Sequence, residues 1–161
     1  MKHPAIASLS LTLPLAFTWF ACGGDGDQGD DIDVEGCEHL AEGPYEDVLA
    51  AADAADAPAV SNDHTAYTIT LPDGAPGYVS FAAAEATDYV FFFDQDVDLA
   101  LATAGGDPLP LEVSATSSAT CTTIKGRHVV ELPVGTAVLQ LGPNAAAFNL
   151  VIEEAAGHVH E

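Results

Sequence analysis

The sequence predicts a mainly β protein: an antiparallel β-sandwich of about eight strands with one short N-terminal helix. Three observations carry this reading. Beyond Val60, apolar residues recur at every second position in short runs, turn-forming residues separate the runs, and no stretch between them is long enough for the helical crossovers of a parallel sheet. With 161 residues, of which 48% are hydrophobic, the chain has enough apolar material for one domain and too little length for two.

The first regular element is expected over Pro44 to Ala55. Pro44 suits a first helical turn, Glu46 and Asp47 favour the positive end of the dipole, and Val48, Leu49 and several alanines follow before Pro58. The period then changes to two. Strands are expected at Tyr67-Ile69-Leu71, Val79-Phe81, Tyr89-Phe91-Phe93, Val97-Leu99-Leu101, Leu109-Leu111-Val113, Val130-Leu132, Leu139-Leu141 and Phe148-Leu150-Ile152. Pro72-Asp73-Gly74, Gly105-Gly106-Asp107-Pro108, Pro133-Val134-Gly135 and Gly142-Pro143-Asn144 supply turn conformations and read as hairpin connections. The run from Tyr89 to Phe93 is apolar on both faces, which marks it as a central strand.

Charge excludes whole classes of partner. Against 25 Asp and Glu stand only 3 Lys and Arg, a net charge of -22, so the surface repels phosphate backbones and nucleic-acid binding is excluded. Divalent cations and basic partners remain.

The N-terminus carries an address. Lys2 and His3 precede an apolar run from Ala5 to Ala21, and the first acidic residue is Asp25, the pattern of a secretory signal peptide over residues 1–21. The sequence Trp19-Phe20-Ala21-Cys22-Gly23-Gly24 resembles the lipobox of bacterial lipoproteins. That resemblance implies lipidation of Cys22, with Trp19 and Phe20 departing from the usual aliphatic and small residues. Ala21 and Gly23 also form a small-x-small pair, so cleavage after Gly23 would instead release a soluble periplasmic or extracellular protein. Gly23 in place of aspartate after Cys22 resembles the signal for outer-membrane sorting.

With Cys22 taken by lipid, Cys37 and Cys121 are left as a pair, and export places them where a disulfide persists. They lie 84 residues apart, without the short paired spacing of zinc fingers, so a disulfide is favoured over a zinc site. Closing so long a loop contributes on the order of 4 kcal/mol in the chain-entropy model. Residues 22–36, rich in glycine and aspartate with only Ile32 and Val34 as sizeable apolar residues, are expected to be a flexible tether reaching about 20 Å. The folded domain is then expected over 37–153, and 154–161 form a tail with His and Glu.

Three stretches carry a family resemblance: Asp88-Tyr89-Val90-Phe91, Val97-Asp98-Leu99-Ala100-Leu101, and Leu132-Pro133-Val134-Gly135-Thr136 leading into Val138-Leu139-Gln140-Leu141. Through them Thr65 to Glu153 resembles the small β-sandwich modules of bacterial exported proteins known as pre-peptidase C-terminal domains. Ala137 stands where that family usually has a tyrosine. The resemblance implies a non-catalytic accessory or binding module and transfers no site residues.

Three groups of residues bear on chemistry. In His158-Val159-His160-Glu161, a strand would place both imidazoles on one face, a half-site for Cu(II) or Zn(II) that His39, His64 and His128 are candidates to complete. The alternative is a solvated chain end. Asp94-x-Asp96-x-Asp98 begins like a calcium loop, but Leu99 and Gly105 stand where glycine and the bidentate glutamate belong, so a solvated acidic turn is favoured. Ser61, Asp63 and His64 have the residue types of a hydrolytic triad without a nucleophile-elbow pattern, and a polar loop is favoured.

The expectation is a non-catalytic lipoprotein of the cell envelope, lipid-anchored in the outer membrane, with no cofactor other than a Cu or Zn ion. Its partners are the membrane, another envelope protein or a divalent cation. The rival reading is a periplasmic transition-metal-binding protein that uses the C-terminal His-x-His.

Overall fold

The computed structural model describes residues 28–155. It is mainly β, with eleven strands in two open mixed sheets and one α-helix, α1 (Gln28–Glu42). In chain order the strands are β1 (Tyr45–Leu49), β2 (Ala59–Val60), β3 (Ala66–Thr70), β4 (Gly77–Ala83), β5 (Thr87–Phe93), β6 (Leu99–Thr103), β7 (Pro108–Leu109), β8 (Val113–Ala115), β9 (Gly126–Leu132), β10 (Gly135–Leu141) and β11 (Ala147–Glu154). One sheet has the order β1-β3-β11-β5-β9-β8 and the other β2-β4-β10-β6-β7.

The period-two runs locate strands well, and the doubly apolar run is central as expected. Strand β5 lies between β11 and β9, with Tyr89, Phe91 and Phe93 in the main core and Val90 and Phe92 in a second cluster. Both faces of this strand are therefore covered. The main core lies between the sheets, where Ile69, Phe91, Leu150 and Ile152 pack with Val79, Phe81, Leu139 and Leu141. The second cluster joins Val90, Phe92 and Val151 to Ile32 and Leu40 of α1 and to Ile124, so the helix forms a third layer.

Four expectations are corrected. First, Pro44 to Ala55 is not a helix but β1 followed by a single 3-10 turn, Ala54–Asp56. Val48 is the only buried residue of β1, too little apolar material for a helical face, and parallel pairing with β3 satisfies the backbone instead. Second, the acidic segment expected as tether is helical from Gln28. Ile32, Gly36 and Leu40 recur at intervals of one turn and face the sheet, with Asp33 and Cys37 beside them. A Cβ on Gly36 would meet the Phe92 ring at 2.6 Å, so glycine is what lets the helix approach so closely.

Third, pairing is not purely antiparallel, because β1 runs parallel to β3 and β2 parallel to β4. Fourth, most of the predicted hairpin turns are crossings between sheets. Gly74, Gly106, Gly135 and Gly142 all adopt positive φ as turn residues should. Yet only the Gly105 to Pro108 turn joins paired strands, β6 and β7, whereas the other three carry the chain from one sheet to the other. The run Leu109 to Val113 likewise divides into β7 and β8, one in each sheet.

Candidate functional site

The C-terminal end of α1 is held firmly. Gly43, at φ 77°, donates its N–H to the His39 carbonyl at 3.0 Å, and the Tyr45 hydroxyl donates to the Leu40 carbonyl at 3.0 Å. Two residues before His39, Cys37 is joined by a disulfide to Cys121, as the cysteine arithmetic predicts. Further toward the N-terminus, Asp33 accepts from Arg127 Nε at 2.7 Å and from the Ser118 hydroxyl at 2.5 Å. Arg127 also lies over the Phe92 ring, 5.9 Å from its centroid. Side chains on α1 are thus fixed relative to the six-stranded sheet beneath.

His39, in the last turn of α1, meets two residues from other elements. Its Nε2 lies 3.2 Å from His64 Nδ1 and 4.0 Å from Glu153 Oε1. The three donor atoms lie within 4.8 Å of one another, the only such group of three His, Cys, Asp or Glu side chains among the described residues. His39 Nδ1 lies 3.3 Å from the Gly43 carbonyl. A carbonyl only accepts, so that contact places a proton on Nδ1, and in the neutral ring Nε2 presents its lone pair to the cluster.

Glu153 comes from β11, on the face opposite Ile152 and opposite Val90 in the sheet register. Its side chain is 0% exposed, whereas His39 keeps 16% exposure and His64 is exposed. Burial, and secondarily the charge of Glu35, pushes the Glu153 carboxyl up to about 8. His64 sits in the loop between β2 and β3 at φ 51°, the only non-glycine residue with positive φ among the described residues. A side chain adopts that conformation at a cost of about 1 kcal/mol.

The candidate set from the sequence is therefore divided. His39 and His64 converge, but His128 does not join them. It lies in β9 on the opposite face of the sheet, edge-on to Phe93, with its Nδ1 3.0 Å from the Ser114 hydroxyl. Burial pushes the His128 pKa down, partly offset by Asp96. Cys22, His158 and His160 lie outside the described residues. Of the triad types, the Ser61 hydroxyl engages the Tyr67 hydroxyl at 2.8 Å and accepts from the Asp63 N–H at 3.4 Å, while the His64 ring turns to His39. In the acidic loop, Asp94 accepts from the Asn149 backbone and side chain, and Asn144 bridges the Asp96 carbonyl and the Asp98 N–H.

Glu153 is the member of this cluster that sequence reasoning missed. Coming after Ile152, it looks like the solvated end of a strand. The clue is in β5, whose second apolar face requires a cover, and residues of β11 in phase with Val151 then fall beneath it. Comparison with known protein families and with curated proteins finds no match.

Proposed function

We propose that the protein is an exported, lipid-anchored, non-catalytic accessory module of the cell envelope. Its two facing sheets form a β-sandwich of the kind that pre-peptidase C-terminal modules use, and its ligand-binding site is the corner where α1 meets β11. The observation that carries this reading is the Cys37–Cys121 disulfide, the bond expected of a chain directed by residues 1–21 into an oxidising compartment. The engagement of the Ser61 hydroxyl with Tyr67 and of the His64 ring with His39 supports binding over catalysis.

Expression of the full chain in a Gram-negative host, followed by fractionation and mass spectrometry of the mature N-terminus, tests it. Lipidated Cys22 in the outer-membrane fraction, lost in Cys22→Ser, is the expected result. An unmodified N-terminus at Gly24 would make the protein soluble and exported, and an unprocessed cytoplasmic chain would overturn the reading. A second reading, transition-metal binding, is favoured by the convergence of His39 and His64.

A further inference from the structure

We propose that Nε2 of His39, Nδ1 of His64 and a carboxylate oxygen of Glu153 form a binding site for a divalent transition metal of the Zn(II) type. This deepens the metal-binding reading and rests on it, while moving the site from the C-terminal His-x-His to the corner between helix and sheet.

The donor set selects the metal class. Two imidazoles and one carboxylate suit Zn(II) and its neighbours, whereas Ca(II) and Mg(II) take oxygen ligands. Spacing fits too. Bonds of about 2.0 Å in a tetrahedron set donors about 3.3 Å apart, and the two imidazole nitrogens are 3.2 Å apart. Glu153 Oε1 lies 4.0 Å from His39 Nε2 and the three donor atoms spread over up to 4.8 Å, so closing on one ion requires the carboxylate to move in by about 1.5 Å, which rotation about its side-chain torsions supplies.

The surroundings are those of a prepared site. The Gly43 carbonyl holds His39 Nδ1 as the outer partner of a ligating histidine does, fixing the tautomer that leaves Nε2 available. The three ligands come from a helix, a loop and a strand, and the helix is clamped by the disulfide two residues away. A dication beside the buried Glu153 would offset the cost of ionising it there. His64 is exposed, so a fourth ligand would come from solvent or a partner. The left-handed backbone at His64 is then a conformation that the metal helps to hold.

The test is calorimetric titration of the mature, disulfide-bonded chain with Zn(II), and with Ca(II) as the contrast. The variants are His39→Gln, His64→Asn, Glu153→Gln and the double variant His158→Ala/His160→Ala. Asparagine tolerates positive φ, so His64→Asn removes a ligand from an exposed loop without disturbing the core. A thermal melt in chelator verifies the fold of each variant. One Zn(II) per chain is expected, with Kd raised more than tenfold in His39→Gln and His64→Asn, little change in the tail variant, and no matching affinity for Ca(II). Co(II) should show the visible absorption of a tetrahedral site, lost in the same variants. Unchanged affinity in a folded His64→Asn would overturn the assignment. Loss confined to the tail variant would return the site to His158 and His160 and overturn it while sparing the metal reading. No Zn(II) binding at all would overturn both and leave the envelope-module reading standing.

Discussion

The two faces of the six-stranded sheet are built in different ways. Toward the five-stranded sheet, Tyr89, Phe91, Phe93, Val130, Leu150 and Ile152 meet an equally apolar surface, and among the described residues His128 is the one buried histidine or carboxylate on that face. Toward α1, the helix contributes only Ile32 and Leu40 as large buried apolar side chains. The remaining attachment is covalent and polar: the disulfide, Asp33 with Arg127 and Ser118, and the His39, His64 and Glu153 cluster. Where a strongly acidic helix has little apolar area to offer, specific bonds supply what hydrophobic burial supplies on the other face. Those bonds also fix side-chain positions, which is why the ligand set forms there.

The largest expected effect comes from the apolar face. Phe91→Ala should cost about 4 kcal/mol, since it opens a cavity in the centre of the main core, and chemical denaturation should show both sheets unfolding together. Next, Cys37→Ser/Cys121→Ser should cost about 3 kcal/mol and lower Tm by several degrees. Hydrogen exchange should then show α1 losing protection well before β5 and β11. Equal loss in the helix and the sheet would break the contrast between the faces.

The sharpest comparison is titration, because the faces should respond to pH with opposite signs. Glu153 titrates at about 8 in the folded chain, above its ordinary 4.5. The folded state therefore holds its proton more tightly, and stability falls as pH rises from 4.5 to 8, by about 2 kcal/mol at pH 6. His128 has its pKa lowered from 6.5, so its contribution is full above 6.5 and declines as pH falls from there toward the folded-state value. Denaturation across pH in chelator should show Glu153→Gln removing the first slope and His128→Leu the second. Matching slopes of one sign would refute the assignment of the two groups to opposite environments.

Much of this was legible in the residues. The runs around Ile69, Phe81, Phe91, Leu101, Val130, Leu139 and Leu150 mark strands because alternation places one set of side chains in the core whichever sheet the strand joins. The same logic made β5 central. Alternation has no access to the identity of the neighbouring strand, however, so turns such as Pro133-Val134-Gly135 read as hairpins although they cross between sheets. The helix is not legible in the sequence because Ile32, Gly36 and Leu40 form a stripe too thin to stand out among acidic residues. Its stability comes from partners distant in sequence, Cys121, Arg127 and Phe92.

By itself, then, the sequence determined the β class, the central strand, the cysteine pair and the strongly acidic charge, since each depends on local pattern or on composition. Tertiary structure alone decided which strands share a sheet, that the acidic segment folds as a helix onto Phe92, and that Glu153 meets His39 and His64. Such pairings join residues far apart in the chain, and their free energy comes from burial and electrostatics that exist only once the layers have assembled.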